Sequence, residues 1–239
     1  MGSSASVPAP RLARLGGALY LINIICGAFA IGVVPGMLFV SDPATTAHNI
    51  QTHELLYRAG LAAHVVVTLT NIGIAAIFYE LFKVVNRRLA LLDVFFTLVA
   101  TAIEAAGVVN QFQPLILTGS GPYANALPPE QLHTLAYLPH DLAQADYLLY
   151  GIFFGLDIIC TGYLVLKSSF MPRTIGILLG IDGLAYLVYG FADILAPGFA
   201  AHLVPWIQLP ALGELTLALW LLVAGVSTER WMQQPIRPS

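Results

Sequence analysis

Charge is what this sequence most lacks. Of its 239 residues only 10% are charged and 58% are hydrophobic, against about 25% charged in an average soluble domain. So few charges cannot cover a globule in water, and most of the surface must face lipid. Cysteine is nearly absent. Cys26 and Cys160 each fall inside an apolar run and suggest neither a disulfide framework nor a metal knuckle. Basic runs are missing and the net charge is only −3, so nucleic acid is not an expected partner. The enzyme signatures HExxH, GxSxG and the Walker loop are absent. No lysine lies mid-span, which excludes a retinal Schiff base, and one mid-membrane histidine cannot ligate a haem from both faces.

What is present is a set of long apolar runs. Six are long enough to cross about 30 Å of hydrocarbon, near 14–39, 56–82, 89–115, 146–166, 174–196 and 204–226. The expected fold is all-α: a polytopic membrane protein with six transmembrane helices in one bundle. A flexible tail over 1–10, the membrane domain over 11–230 and a C-terminal tail over 231–239 complete the chain. The first run is too long for a signal-peptide core and is read as a retained anchor. Arg11, Arg14, Lys83, Arg87, Arg88, Lys167, Arg173, Arg230 and Arg237 all fall on one side of the six runs, with Arg58 alone on the other. The positive-inside rule makes the first side cytoplasmic. Both termini are then inside, and the expected location is a bacterial cytoplasmic (inner) membrane. Trp206, Trp231 and Tyr147, near span ends, read as interfacial anchors.

Two outer loops are long. In SDPATTAHNIQTHE, Ser41 or Asp42 can cap a short helix whose first position is Pro43. In the second loop Pro129-Glu130 can open another short helix, with Leu132, Leu135 and Leu138 on its apolar side. A loop of that length serves as a lid or as an amphipathic spacer.

The polar residues inside the spans carry the functional question. Asp157 and Glu214 lie near mid-depth, Asp182 eight residues into its span, and Glu104 slightly outward of the midplane. His64 and Asn71 lie on the second span. Helical phase groups Asp182, Tyr186, Tyr189 and Asp193 on one face, His64, Thr68 and Asn71 on another, and Thr97, Thr101, Glu104 and Gln111 on a third. Lipid offers no hydrogen-bond partners, so these stripes must turn toward one another. For Asn23, Asn71 and the threonines the plainer role is interhelical glue, averaging about 0.6 kcal/mol where measured. Glu80 and Asp93, close to the inner face, are expected to pair with Lys83, Arg87 or Arg88. Four mid-membrane carboxylates exceed what packing requires and point to function. Unless a cation sits among them, at least one must carry a proton. Arg58 is expected to pair with Asp141, Asp146, Asp193 or Glu104.

At GYLVLKSSFMPRTIGILLGIDGLAYL (162–187) and LPALGELTLALWLLVAGV (209–226) the sequence resembles the bacterial six-span membrane proteins grouped as domain of unknown function 4386. RLARLGGALYL, LYRAG around Arg58 and IEAAGVVN around Glu104 and Asn110 extend the resemblance over nearly the whole chain. Arg58, Glu104, Asn110 and Glu214 match the family pattern. Asp157 stands where a histidine is common, a departure that weakens a metal-ligand role for it, although carboxylate and imidazole both ligate metals. The resemblance implies architecture and membrane location, and no activity.

The candidate site residues are therefore Arg58, His64, Asn71, Glu104, Asn110, Asp157, Asp182, Tyr186, Tyr189 and Glu214. They suit a polar cavity, open to the outer face, that handles or transports a small solute or cation with proton coupling. An intramembrane metal-dependent enzyme using His64 with neighbouring acids is the alternative, and a non-catalytic partner or sensor subunit a third. The expected partners are the bilayer and a small-molecule or lipid ligand. No cofactor is specified by the residues.

Overall fold

The computed structural model describes residues 9–119, 121–123, 127–207 and 212–234, with side chains omitted over 204–207. The first eight residues of the N-terminal tail, the Trp206 side chain, residues 208–211 of the sixth run, and Arg237 with the end of the C-terminal tail lie outside that description. Among the described residues there are helices and no strands. A chain in lipid has to satisfy its backbone locally, which a helix does.

The first span comprises α1 (Ala9–Gly27), a π-helical segment (Ala28–Val33) and α2 (Val34–Leu38). Pro35 lacks the N–H that would continue the ordinary ladder, and the wider turn lies directly before it. α3 (Pro43–Thr52) lies between the first and second spans, with Asp42 as N-cap: its carboxylate accepts from the Thr45 amide at 2.8 Å and the Thr45 hydroxyl at 2.6 Å. α4 (Glu54–Phe82), α5 (Arg87–Asn110) and the short α6 (Gln113–Thr118) follow. α7 (Pro129–Lys167) then runs 39 residues without a break. The short loop helix expected from Pro129 is thus the beginning of the fourth span, and the helix continues through Pro139. Leu132 is buried, while Leu135 and Leu138 are exposed. α8 (Arg173–Leu195), α9 (Pro197–Ile207), α10 (Leu212–Val223) and α11 (Thr228–Met232) complete the order.

Among the described residues five helical stretches are long and apolar enough to cross a membrane: Ala9–Leu38, Glu54–Phe82, Arg87–Thr118, Pro129–Lys167 and Arg173–Leu195. α10 is the shorter sixth, with 12 described residues, about 18 Å at 1.5 Å per residue. Packing closes these elements into a ring, because α1 meets α4, α4 meets α5, α5 meets α7, α7 meets α8, α8 meets α10, and α10 returns to α1. Leu69, Phe95, Ile177, Ile181 and Val188 are more than half exposed on the outside of the ring. In water that would be an aggregation surface; here it is the lipid face. The protein is an all-α multi-pass membrane bundle.

Glycine sets the closest seam. A Cβ on Gly183 of α8 would sit 2.5 Å from the Gly155 carbonyl oxygen of α7, and one on Gly176 would sit 2.7 Å from the Gly162 oxygen. Any side chain there would force the two helices apart, the small-residue logic of close packing in lipid. Past α10 the Trp231 indole donates to the Leu81 carbonyl at 2.9 Å, tying the C-terminal segment to α4.

Candidate functional site

Five carboxylates are buried inside the ring: Asp93, Glu104, Asp157, Asp182 and Glu214, none more than 9% exposed. Among the described residues no lysine or arginine is buried with them, and His64, at 6% exposure, is the one basic group. They fall into three groups.

The first joins α4, α5 and α1. Asn71 donates to Glu104 Oε2 at 3.0 Å, and Asn23 donates to Asn71 Oδ1 at 2.8 Å and to Thr70 Oγ1 at 2.9 Å. His64 Nε2 lies 3.3 Å from Glu104 Oε1. That approach is close but not aligned as a hydrogen bond, and Nε2 meets no other partner. Nδ1 lies 3.4 Å from the Gln111 side-chain oxygen, and the Gln111 carbonyl accepts from Tyr57 at 2.7 Å. Both ring nitrogens thus face oxygens.

The second group joins α5 and α7. Thr97 Oγ1 donates to Asp157 Oδ1 at 2.9 Å and Thr161 Oγ1 donates to Asp93 Oδ1 at 2.9 Å. The two carboxyls come within hydrogen-bonding range of one another. Asp93 therefore does not pair with Lys83, Arg87 or Arg88, as its nearness to the inner face suggested. It continues the stripe of Thr97, Thr101 and Glu104 at spacings of four, four and three, and that phase turns it inward. Glu80 does meet Lys83, at 2.5 Å.

The third group joins α1, α8 and α10. Glu214 accepts from Tyr20 at 2.8 Å on Oε2 and from Tyr186 at 3.4 Å on Oε1. Asp182, 1% exposed, lies beside the Glu214 carboxyl, and among the described residues neither of its oxygens meets a hydroxyl, amide or basic donor. Farther along the same face, Tyr189 accepts from Gln144 at 3.3 Å.

A cavity of about 20 Å³ lies where the groups meet, bordered by Tyr20, Asn71, Asp93, Thr97, Asp157 and Thr161 with apolar neighbours. That is room for about one water molecule. It is a small chamber with polar groups along part of a mostly apolar lining. Among the described residues no three His, Cys, Asp or Glu side chains converge as a metal would require; the expected set of His64 with several acids reduces to His64 and Glu104.

Two expected members lie elsewhere. Arg58 pairs with Glu54 at 2.6 Å, one turn earlier on α4, with both side chains more than half exposed. Glu54 gives Arg58 a local acid, so it does not reach Asp141, Asp146, Asp193 or Glu104. Asn110, half-buried at the end of α5, takes no part in the network. Conversely, Asp93, Tyr20 and Gln111 belong to the network and were not candidates. Helical phase from Glu104 reveals Asp93. For Tyr20, an isolated tyrosine in an apolar run, the sequence offers no signal.

The profile of a family described as Domain of unknown function (DUF4386) matches residues 15–225, and the chain belongs to that family. It is also similar to an uncharacterized protein from Archaeoglobus fulgidus, 34% identical over 95 residues. That match covers 38% of this chain and 55% of the relative, so the chain spans about half the length of the relative it matches. No solved structure matches the chain.

Proposed function

We propose that this protein moves protons across the cytoplasmic membrane, coupled to a small solute or cation, through its buried carboxylates. The observation that carries the proposal is the pairing of acid with acid. Asp93 faces Asp157, and Asp182 lies beside Glu214, with no lysine or arginine buried among the described residues. A dry interior does not hold two neighbouring negative charges uncompensated. Each pair is therefore a place where a proton or cation resides and from which it can be released. Packing alone would be served by amides or hydroxyls, which need no counter-charge.

The chamber supplies continuity. Tyr20 touches both the chamber and Glu214, Asn71 touches both the chamber and Glu104, and Asp93 and Asp157 form its acidic wall. One water there links hydroxyl, amide and carboxyl groups over hydrogen-bond distances. The basic residues orient the bundle with Lys83, Arg87 and Arg88 on the cytoplasmic side. In that orientation the Asp93–Asp157 pair serves the inner half, and His64 with Glu104 the outer half.

The test is proton flux. Purified protein in liposomes carrying a pH-sensitive dye should dissipate an imposed proton gradient faster than empty liposomes, in the presence of small cations. Asp157→Asn and Glu214→Gln should fold and be inactive. Flux indistinguishable from empty liposomes under every cation tried, or full flux in both amide variants, would overturn the proposal.

A further inference from the structure

We infer that the Asp182–Glu214 cluster is a binding site for a monovalent cation, exchanged one for one against a proton. The inference rests on the proton-handling proposal and names a substrate class for one of its acid pairs. Asp182 is the starting point. It is 1% exposed, and among the described residues neither of its oxygens receives a hydroxyl, amide or basic donor, the Glu214 carboxyl being its polar neighbour. A buried carboxyl in that condition is costly and calls for a positively charged or proton-bearing occupant. Its neighbour Glu214 supplies no donor when ionised. The other ionisable groups around the pair are Tyr20 from α1, Tyr147 and Tyr150 from α7, and Tyr186 from α8 itself. None of these is a cation. The Asp93–Asp157 pair differs, because each of its carboxyls already holds a threonine hydroxyl.

The donor set favours a hard monovalent ion. Every polar atom in the cluster is oxygen: four carboxylate oxygens from Asp182 and Glu214, and the phenol oxygens of Tyr20 and Tyr186. The two phenol hydrogens already occupy one lone pair on each Glu214 oxygen. Calcium takes 6–8 oxygens, and magnesium keeps several of its waters, which a packed, buried cluster does not accommodate. Charge balance gives the stoichiometry. Two protons neutralise the pair, and so do one proton and one monovalent cation. Replacing one proton by one cation leaves the interior neutral at every step.

The experiment is thermal unfolding of the detergent-solubilised protein in sodium chloride against choline chloride at equal ionic strength. At about five times the dissociation constant, sodium should raise the Tm of the native protein by about 2–4 °C. Asp157→Asn should keep that shift and Asp182→Asn should lose it. Tyr186→Phe, which removes only a hydroxyl, should need several-fold more sodium and serves if Asp182→Asn fails to fold. Four outcomes overturn the inference: no sodium shift in the native protein, a shift produced by calcium or magnesium alone, a shift unchanged in both Asp182→Asn and Tyr186→Phe, or a shift lost in Asp157→Asn. Absent proton flux with the sodium shift intact would count against the proposed transport and leave this site standing.

Discussion

Replacing Asp157 distinguishes a carboxyl that carries a proton from one that is ionised. Asp157 accepts from Thr97 at 2.9 Å and faces Asp93, which accepts from Thr161 at 2.9 Å. Asparagine keeps an oxygen for Thr97 and offers an N–H toward Asp93, so it imitates the protonated acid. Its cost should stay below about 1 kcal/mol, near the roughly 0.6 kcal/mol average of hydrogen bonds between membrane helices. Leucine offers neither group. Thr97 retains its bond to the Asp93 carbonyl at 3.0 Å, but the Asp93 carboxyl loses its neighbour, and a stranded buried group costs about 1–3 kcal/mol. Asp157→Leu should therefore be less stable than Asp157→Asn by about 1–2 kcal/mol. The contrary case is well separated. Two ionised carboxylates about 4 Å apart repel by about 4 kcal/mol at an effective dielectric of 20, so asparagine would then stabilise the protein by a comparable amount. Denaturant unfolding in micelles, followed by tryptophan fluorescence, reads the order. Infrared difference spectra should show a protonated carboxyl band that disappears in Asp157→Asn. Refutation would be an asparagine variant stabilised by several kcal/mol, or one destabilised as much as leucine.

Three further predictions follow from the packing and the outer surface. Gly183→Leu should lose more than about 2 kcal/mol by overpacking and separate α7 from α8, while Gly180→Ala, whose added carbon meets nothing, should unfold like the native protein; equal stability of the two variants would remove the glycine seam from the account. Arg58→Gln should change stability by less than about 0.5 kcal/mol, because its partner Glu54 is exposed and surface pairs contribute little; a larger loss in unfolding experiments would mean a buried partner. The Thr45 hydroxyl and amide hold the Asp42 carboxyl below the usual aspartate range, so its contribution to α3 is fully present above about pH 4 and is lost as pH falls through the lowered folded value. Amide exchange across α3 should show that loss, and Asp42→Asn should abolish the pH dependence while keeping the cap; an unchanged dependence would assign it to another group.

The ring was legible in the sequence because its signal is collective. Long apolar runs are read over twenty residues at a time, and local errors cancel. Asp42 was legible for the opposite reason: a cap followed by proline is a local pattern, and the bond to Thr45 forms within it. The failures lie between those scales. Pro129 marked a true helix start, but nothing nearby revealed that the helix would pass Pro139 and become the fourth span. Arg58 was assigned a distant acid when Glu54 stood four residues away. Asp93 was given to the nearest basic residues along the chain, although its phase with Thr97, Thr101 and Glu104 already placed it on the buried face. Tyr20 meets Glu214 across 194 positions, and only the closure of α10 against α1 brings them together.

That closure also limits what can pass. A chamber of about 20 Å³ holds a water or a bare ion, so any larger solute requires the helices around it to separate. The seam between α7 and α8 is the least able to open evenly, since backbone already meets backbone at Gly155 and Gly183 and again at Gly162 and Gly176. Those two helices behave as one body carrying Asp157 and Asp182. The first span is built differently: three of its glycines, Gly27, Gly32 and Gly36, have no atom within 3.5 Å of where a side chain would begin. Its ladder also widens to a π-helix at Ala28–Val33, a deviation that often accompanies functional sites. Tyr20 lies on the inner side of that segment and bridges the chamber to Glu214. A bend at the π-helix, with α7 and α8 held rigid, would move the outer half of the first span and leave the Tyr20–Glu214 contact in place. Under the proposed transport, access to the acids would then change on one side of the membrane at a time, which coupling requires and a fixed pore does not provide.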